Sequence, residues 1–449
     1  MKNVALWVGF VAIFLAGCKE PEAEPQQEPR PAAPAWSLDQ LSMYEVFPRQ
    51  FSGSGHLNAV RTRIPELQVL GVNCVWLMPV HPISAVNMNG THGSPYAVAD
   101  YWAVHPDLGD LDVMRALVDE LHEAGMLCII DWVANHTGWD HPWIAEHPDW
   151  YTQDGSGNIV IPPGTNWSDV AELNYGSAAM REAMKDALRF WSEDVGVDGF
   201  RCDYAVGVPA DFWGPVIAEL NAARPEAPLL WLAEAEAPSL HDAGFELSYS
   251  WQGFGAVEGV VAEGELPELI YSSYLTEVAS IPEGHRKLRF VTNHDETSWN
   301  APAPTMYGGV EAMKCAQAIT AFLPGVPLVY NGQEVGSDQV LNLFEDVPID
   351  WSTHPELRGW YAALLTARAT HSAFAGTGLA FHPAADVFVA ERVNGVGEPQ
   401  AFLVANVRSF SQAFDFGPWW EGDWSEVFTG GSMPASATLA PFEVRMFVR

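Results

Sequence analysis

Four apolar segments of this sequence end in acidic side chains that could carry out nucleophilic and acid–base chemistry together. The acids are Asp131, Asp203, Glu234 and Asp295, and Arg201 stands two residues before Asp203. Residues two apart on a strand point to the same face, so Arg201 can hold the Asp203 carboxylate ionised. Burying several carboxylates costs on the order of several kcal/mol unless they are paired or hydrogen-bonded, so these acids predict a functional pocket.

The elements that must position these acids are short apolar runs separated by helix-period stretches. The runs are 43–47, 74–80, 127–133, 198–204, 229–235, 245–251, 288–293 and 327–331. Stretches such as 112–126 and 180–195 place apolar residues three and four apart, which is typical of amphipathic helices. Eight alternating βα units predict an α/β fold, a (β/α)₈ TIM barrel. Its active site then lies at the carboxyl ends of the strands, where the acids are.

Two further segments complete the expected organisation. The connection after strand 3, residues 136–175, is long for a βα loop and carries Trp139, Trp143, Trp150, Tyr151 and Trp167, which predicts a short inserted loop domain. From 373 to 449, short alternating runs broken by glycine and proline predict a C-terminal antiparallel β domain. The catalytic barrel is therefore expected over residues 37–372.

The motifs around these acids resemble a known family. DWVANH (131–136), GFRCD (199–203), LAE (232–234) and FVTNHD (290–295) are similar to the four signature regions of the α-amylase family, glycoside hydrolase family thirteen, and occur in the same order. GVNCVWLMPV (71–80), SPYAVADYWAV (94–104), VAELN (170–174) and GVPLVYNGQE (325–334) resemble its accessory regions. The resemblance covers roughly residues 40–350, and the ordered set is far more specific than any one motif.

The resemblance implies roles for individual residues. Asp203 would be the nucleophile, Glu234 the general acid/base and Asp295 the carboxylate that binds sugar hydroxyls and steadies the transition state. The substrate-binding set that the resemblance implies comprises Tyr96, Asp131, Asn135, His136, Arg201 and His294. In such a site one carboxylate attacks the anomeric carbon while a protonated carboxyl at about 5 Å protonates the leaving oxygen, with net retention. Glu234 must then have a raised pKa while Asp203 stays ionised.

Three places in the sequence bear on how far the resemblance to the family extends. Glu236 lies on the same strand face as Glu234, and Glu234 is preferred because it directly follows the apolar strand. Many members of the family carry a Lys-His pair after the nucleophile, where this chain has Val206 and Gly207, so its leaving-group subsites differ. Asn135 resembles a calcium ligand of many amylases, but no oxygen-rich loop is evident, so no metal is assigned and no cofactor is expected.

The net charge limits which kinds of molecule the protein can bind. The formal net charge of −35 over 449 residues would repel phosphate backbones, which excludes nucleic acid as a partner.

Four cysteines lie beyond the amino-terminal segment, at Cys74, Cys128, Cys202 and Cys315. They are widely scattered and show no spacing typical of a metal site, so buried free thiols are favoured over a disulfide.

The amino terminus predicts export. Residues 1–18 combine a cationic start, an apolar run too short for a comfortable membrane span, and the segment Leu15-Ala16-Gly17, which ends in small residues directly before Cys18. This pattern resembles a bacterial lipoprotein signal peptide. Cys18 would then be lipidated, and the Pro/Glu-rich segment 19–36 would be a disordered linker. Lys19 gives no inner-membrane retention signal of the aspartate type, so an outer-membrane anchor is expected, periplasmic or surface-facing.

The resulting expectation is a retaining hydrolase of α-glucosidic bonds, α-1,4 above all, acting on starch, glycogen or malto-oligosaccharides. An α-glucan transglycosylase using the same residues is the alternative, since a sugar hydroxyl can replace water in the second step. A non-catalytic glycan-binding protein is a third interpretation, because a fold does not guarantee a function. The three intact carboxylates, Asp203, Glu234 and Asp295, argue against it.

Overall fold

The alternation of apolar runs and amphipathic stretches becomes strands and helices in the structure, a computed structural model that describes residues 30–417 and 422–449. The strands of these described ranges are β1 (Met43–Val46), β2 (Cys74–Leu77), β3 (Leu127–Trp132), β4 (His136–Gly138), β5 (Val170–Glu172), β6 (Gly199–Cys202), β7 (Leu230–Ala233), β8 (Leu247–Tyr249), β9 (Arg286–Arg289), β10 (Val326–Tyr330), β11 (Leu379–Phe381), β12 (Val387–Val393), β13 (Pro399–Asn406), β14 (Gln412–Asp415), β15 (Ser425–Glu426), β16 (Ser436–Leu439) and β17 (Val444–Val448). The α-helices of the same ranges are α1 (Pro48–Phe51), α2 (Leu57–Leu70), α3 (Leu111–Glu123), α4 (Pro142–Glu146), α5 (Ala178–Arg189), α6 (Ala210–Ala223), α7 (Pro238–Asp242), α8 (Trp251–Val261), α9 (Glu268–Ser280), α10 (Ala303–Met306), α11 (Val310–Phe322) and α12 (Leu357–Thr370).

Eight of these strands close into a parallel barrel in the order β1-β10-β9-β8-β7-β6-β3-β2. Parallel ladders join neighbouring strands, and they place Asp131 beside Arg201 and Cys202 beside Ala233. The predicted (β/α)₈ TIM barrel is therefore confirmed. Parallel strands buried on both faces read as continuous apolar runs, which is why the sequence pattern identified them.

The core has two layers because alternate strand residues point to opposite faces. Inward-pointing side chains such as Trp76, Ile129 and Leu232 fill the barrel interior, and outward-pointing ones pack against the helices. Helix α3 shows how a helix is fixed: the Asp110 side chain caps it by accepting from the Val113 amide, and Leu117 is among its buried residues. Each fully buried aliphatic side chain contributes roughly 1.5–3 kcal/mol, so this packing holds the strand ends in place.

The seventh barrel strand lies earlier than the sequence predicted. The apolar pattern predicted 288–293, whereas β9 is Arg286–Arg289 and residues 290–293 continue beyond the sheet. The pattern failed because charged residues occupy this strand and each has a polar partner. Arg286 pairs with Asp39, and the Lys287 ammonium donates to the Ser248 hydroxyl at 3.0 Å.

The long connection after β3 forms a small substructure. Strand β4 pairs antiparallel with β5, and α4 lies between them. Trp143 and Tyr151 from this segment are buried in the core, whereas Trp167 keeps 37% of its surface exposed. The aromatic residues of the loop therefore divide into structural and surface-exposed members.

The C-terminal β domain is also confirmed. Strands β11-β12-β13-β17-β15 form one antiparallel sheet, and β14-β16 form a second. Arg392 of β12 donates to the Phe322 carbonyl at the end of α11, which ties the sheet to the barrel's helices. Cys74, Cys128, Cys202 and Cys315 are free, buried thiols.

Some of the predicted segments lie outside the residues that the structure describes. The signal segment 1–18 with Cys18, and most of the linker 19–36, lie outside the described residues. The domain boundaries at 36/37 and 372/373 stay predictions. Between residues 30 and 449, apart from the undescribed 418–421, the helices are all too short or too polar to span a bilayer.

Gly199 provides a test of the barrel packing. A Cβ at this position would lie 2.1 Å from the Leu230 carbonyl oxygen, a backbone atom of the β6–β7 ladder that cannot move aside. We expect Gly199→Ala to lower the free energy of unfolding by about 1–3 kcal/mol through overpacking, measured by urea denaturation.

Gly255→Ala is the matched control, because Gly255 lies in α8 with open space around its Cβ position. In a helix, alanine is favoured over glycine by up to about 1 kcal/mol, so this variant should be unchanged or more stable. Equal stability changes in the two variants would contradict the packing argument.

Candidate active site

The barrel brings the predicted acids together at the carboxyl ends of its strands. Asp131 is the fifth residue of β3, and Arg201 lies beside it on β6. Asp203 directly follows β6, and Glu234 directly follows β7. Because neighbouring parallel strands end side by side, residues far apart in sequence meet here.

A single buried guanidinium connects three of these acids. Arg201 Nη1 donates to Asp131 Oδ1 and to Asp203 Oδ1, both at 2.9 Å, and Nη2 lies 3.1 Å from Glu234 Oε1. Its Nε donates to the Tyr249 hydroxyl at 3.1 Å. Arg201 has no exposed surface. Burial opposes its charge, but Asp131 and Glu234 outweigh burial and raise the pKa of Arg201 well above its ordinary value.

The same burial shifts the acids toward their protonated forms. Burial raises the pKa of Glu234 to about 7, with Arg201 opposing the shift and Asp203 adding to it. Burial raises the pKa of Asp203 to about 6, again opposed by Arg201. Arg201 donates a hydrogen bond to Asp203, which favours its ionised form, and the charge of Asp203 favours the protonated form of Glu234, which is the order that an acid and a nucleophile require.

The structure distinguishes the two glutamates that follow β7. Glu234 lines the cleft, and its Oε2 accepts a 2.7 Å hydrogen bond from the Tyr204 amide. Glu236 accepts from the Gln252 amide at 3.2 Å and is not among the residues that line the cleft. The position preferred from the sequence is therefore the one that faces the cleft.

A second positive charge lies on the other side of the site. His294 Nδ1 is 2.5 Å from Glu45 Oε1, and its Nε2 lies 2.7 Å from the Tyr96 hydroxyl and 3.4 Å from Asp295 Oδ2. Burial alone would lower its pKa, but Asp295 and Glu45 raise the pKa of His294 to about 9. His294 is therefore an imidazolium that both orients Tyr96 and attracts Asp295.

Glu45 was missed by the sequence analysis. It lies on β1, is completely buried and holds His294. Burial raises its pKa, and His294 opposes that shift. An acid inside the apolar run MYEVF was the available signal, because an ionisable residue on a buried strand needs a partner.

The remaining predicted binding residues divide between the cleft and its support. Tyr96 and His136 line the cleft. Asp131 and Asn135 are buried behind it: Asp131 Oδ2 accepts from the Tyr96 hydroxyl at 3.1 Å, and Asn135 Nδ2 lies 3.3 Å from His136 Nδ1. Burial lowers the pKa of His136 to about 4, so its ring is neutral at pH 7.

The cleft has a volume of about 610 Å³ and combines polar and aromatic side chains. Residues that sequence reasoning did not single out also line it: Asn89, Ser94, Asn166, Ser168, Asp169, Val170, Tyr204, Trp299, Leu343 and Phe344. Apart from Val170, which begins β5, they come from loops that follow different strands, so only the folded barrel brings them together.

The surroundings of Asn135 do not fit a calcium site. Its amide nitrogen contacts His136, and a Cβ on Gly207 would lie 2.4 Å from its Oδ1, so the side chain is closely enclosed. Within 30–417 and 422–449, no three or more His, Cys, Asp or Glu side chains are grouped as metal ligands would be.

Comparison with known proteins identifies similar sequences and structures. The family model described as the alpha-amylase catalytic domain matches residues 45–158. Alpha-amylase MalA of Haloarcula japonica is 28% identical over 317 residues, covering 68% of this chain and 45% of MalA. An alpha-1,4-glucan:maltose-1-phosphate maltosyltransferase of Rhodospirillum rubrum is 27% identical over 366 residues, covering 74% of this chain and 50% of that protein. The chain spans about half the length of these curated relatives.

Solved structures extend the similarity over most of the chain. An alpha-amylase from Lactobacillus plantarum superposes with a TM-score of 0.81 at 27% identity, covering 91% of this chain and 99% of that one. The maltogenic alpha-amylase AmyB from Thermotoga neapolitana gives a TM-score of 0.77 at 26% identity, covering 92% and 97%. Both comparisons include the C-terminal region as well as the barrel.

Replacing Glu234 tests the electrostatics of the site. A carboxyl whose pKa is raised to about 7 in the folded state binds more protons folded than unfolded, so its contribution to stability falls as the pH rises toward 7. We expect Glu234→Gln to raise the melting temperature at pH 8 by roughly 1–3 °C relative to the unmodified protein, with a smaller gain at pH 5.

Glu236→Gln is the control, because it makes the same chemical change outside the cleft. Melting curves for both variants at the two pH values provide the measurement. The same pH-dependent gain in Glu236→Gln, or none in Glu234→Gln, would contradict the assignment.

Proposed function

We propose that this chain, which carries a catalytic domain of the α-amylase family, is a retaining glycoside hydrolase that cleaves α-glucosidic bonds, α-1,4 bonds above all. The observation that carries the proposal is the arrangement around Arg201, whose guanidinium donates to Asp203 at 2.9 Å and lies 3.1 Å from Glu234, with both carboxyls lining one cleft. Two carboxylates with different proton affinities in one cleft are what retaining glycoside hydrolysis requires.

In the first step, Asp203 attacks the anomeric carbon and forms a covalent glycosyl-enzyme. Its 2.9 Å bond to Arg201 keeps it ionised and points one carboxylate oxygen away from the cleft, which leaves the other for attack. Glu234 donates its proton to the departing glycosidic oxygen. The Tyr204 amide, which binds Glu234 Oε2, fixes the direction of that carboxyl.

In the second step, Glu234 takes a proton from water, and the water oxygen replaces Asp203 on the anomeric carbon. Two displacements on opposite faces return the original anomeric configuration. Asp295, beside the His294 imidazolium, binds sugar hydroxyls and stabilises positive charge as it develops on the ring.

The substrate class rests on the relatives. The chain's curated relatives include proteins named alpha-amylase and alpha-1,4-glucan:maltose-1-phosphate maltosyltransferase, so we assign starch, glycogen or malto-oligosaccharides as substrates. The maltosyltransferases also favour a second candidate, transfer of the glycosyl group to a sugar hydroxyl in place of water. Products longer than the substrate at high malto-oligosaccharide concentration would identify the transferase.

We further propose that the protein is exported and anchored by a lipid on Cys18, with the segment 19–36 as a tether. The support is the sequence itself: an apolar run that ends in Leu15-Ala16-Gly17 before Cys18. Lys19 favours an outer-membrane location, with the enzyme periplasmic or surface-facing.

Asp203→Asn tests the catalytic proposal. The amide keeps the shape of the side chain but cannot form the glycosyl-enzyme, so we expect hydrolysis of soluble starch and maltoheptaose to fall roughly 10³-fold or more. Glu236→Gln should keep activity within a few fold, because that residue lies outside the cleft. Proton NMR of the first products should show the α-anomer, and a β-anomer would contradict a retaining mechanism.

Cys18→Ser tests the anchor. In a Gram-negative host fed labelled palmitate, the full chain should take up label and sediment with membranes, and Cys18→Ser should do neither. Cys315→Ser is the matched control, because Cys315 is buried and should not affect labelling. Label that persists in Cys18→Ser would rule out lipidation at that residue.

A further inference from the structure

Glu45 is a completely buried acid that stands behind the cleft. It is the third residue of β1, and His294, its partner, is among the residues that line the cleft. Glu45 Oε1 lies 2.5 Å from His294 Nδ1, whereas Oε2 has no hydrogen-bond partner among the described residues. Burying a carboxylate with one oxygen unsatisfied lowers stability unless a charge compensates it. The Glu45 carboxylate therefore depends on the charge of His294.

The hydrogen bonds around His294 indicate where its protons are. The Tyr96 hydroxyl lies 3.1 Å from Asp131 Oδ2 and 2.7 Å from His294 Nε2. An ionised carboxylate only accepts, so the single hydroxyl proton of Tyr96 points to Asp131, and the hydroxyl oxygen accepts from Nε2–H. On the other side of the ring, the ionised Glu45 carboxylate requires a proton on Nδ1. His294 therefore carries a proton on both nitrogens as long as Glu45 and Asp131 are ionised.

A neutral His294 would lose its charge and one of these contacts. With its one proton on Nδ1, Nε2 can only accept, and Tyr96 must turn its hydroxyl proton away from Asp131. With the proton on Nε2, the lone pair of Nδ1 faces the Glu45 carboxylate oxygen at 2.5 Å. In either tautomer Asp295 loses the cation that lies 3.4 Å from its Oδ2.

The groups around His294 favour the imidazolium on balance. Those that face the histidine or its partner acid are Glu45 from β1, Tyr96 from the loop after β2, Asp131 from β3, Arg201 from β6, Tyr249 from β8, Asp295 from the segment after β9 and Tyr330 from β10. Burial lowers the pKa of His294, Asp295 and Glu45 outweigh burial, and Arg201 opposes them. Asp131 is paired with Arg201, and Asp295 lines the cleft. Glu45 is thus the acid whose charge is committed to His294.

We propose that Glu45 is a positioning residue that keeps His294 doubly protonated. That charge holds Tyr96 and Asp295 in place while Asp203 attacks the sugar, and the Tyr96 ring also stacks on His294 with centroids 5.5 Å apart. The inference rests on the proposed function and adds a determinant of its pH range. Glu45 transfers no proton in either step and acts only through His294.

The test is the pH dependence of the first step, measured with a substrate whose leaving group needs no proton. For α-maltosyl fluoride, kcat/KM reports formation of the glycosyl-enzyme, and fluoride leaves without the proton of Glu234. In the unmodified protein we expect kcat/KM to stay level up to about pH 9, where His294 titrates. In Glu45→Gln the fall should begin about two pH units lower, because an ordinary histidine titrates near about 6.5. The variant should then be roughly tenfold slower at about pH 8 and within about threefold at about pH 5.5.

Two further variants separate the charge of Glu45 from its packing. Glu45→Asp keeps a carboxylate, so its activity should fall at the same alkaline pH as that of the unmodified protein, at a lower rate. Glu334→Gln is the matched control, because Glu334 is a buried acid whose Oε1 accepts from the Tyr44 hydroxyl at 2.7 Å, and it is not among the described residues that line the cleft. This control should change stability without moving the pH profile.

NMR of protein labelled with ¹⁵N in its histidine rings follows His294 directly. The signal that is missing from His294→Gln identifies this ring. In the unmodified protein it should remain an imidazolium at about pH 8, and in Glu45→Gln it should be a neutral imidazole at the same pH. Glu45→Asp should keep the imidazolium.

An unchanged pH profile in Glu45→Gln would overturn the proposal, and so would an imidazolium that survives in that variant. An equal loss of kcat/KM at every pH would also overturn it, because such a loss indicates packing and not charge. A neutral His294 at about pH 7 in the unmodified protein would do so without any variant of Glu45. If the unmodified protein cleaves neither α-maltosyl fluoride nor malto-oligosaccharides, the proposed function fails, whereas the NMR measurement still decides whether Glu45 holds the charge on His294.

Discussion

The site depends on one guanidinium placed where no water reaches it. Arg201 is completely buried, and its nitrogens hold Asp131 and Asp203 and approach Glu234. Burying a charged group raises the free energy of the folded state unless its ion-pair partners are well placed. Every strand that supplies such a partner must therefore keep its register. The in-register ladder between β3 and β6, and then between β6 and β7, supplies that precision.

The site nevertheless contains fewer cations than carboxylates. Two cations, Arg201 and the His294 imidazolium, face five carboxylates of the site: Glu45, Asp131, Asp203, Glu234 and Asp295. Because the five acids cannot all ionise at low cost beside two cations, a proton remains on the group least well compensated. Arg201 donates a 2.9 Å hydrogen bond to Asp203 and opposes the rise in its pKa, whereas the charge of Asp203 adds to the rise in the pKa of Glu234, so Glu234 is the favoured site for that proton.

The sequence predicted what depends on local pattern and missed what depends on the tertiary fold. Seven of the eight barrel strands read as apolar runs, whereas β9 was displaced because its charged residues find partners only in the folded chain. The acids were predictable because each ends a strand. Glu45 was predictable as an acid within an apolar run. Trp299 and Phe344 were not predictable, because the paths of their loops bring them to the cleft. The left-handed backbone conformation of Tyr204, with φ 40°, was not predictable either, because the residue that adopts it is not a glycine.

The four buried thiols have a consequence for how the chain reaches this structure. Once folded, Cys74, Cys128, Cys202 and Cys315 are shielded from solvent, and burial raises the pKa of each of these thiols, so oxidants find little thiolate to attack. The same sulfurs are accessible in the unfolded chain. In an oxidising medium, therefore, chain collapse competes with sulfur oxidation at these four positions, and the native state is reached without a disulfide among them.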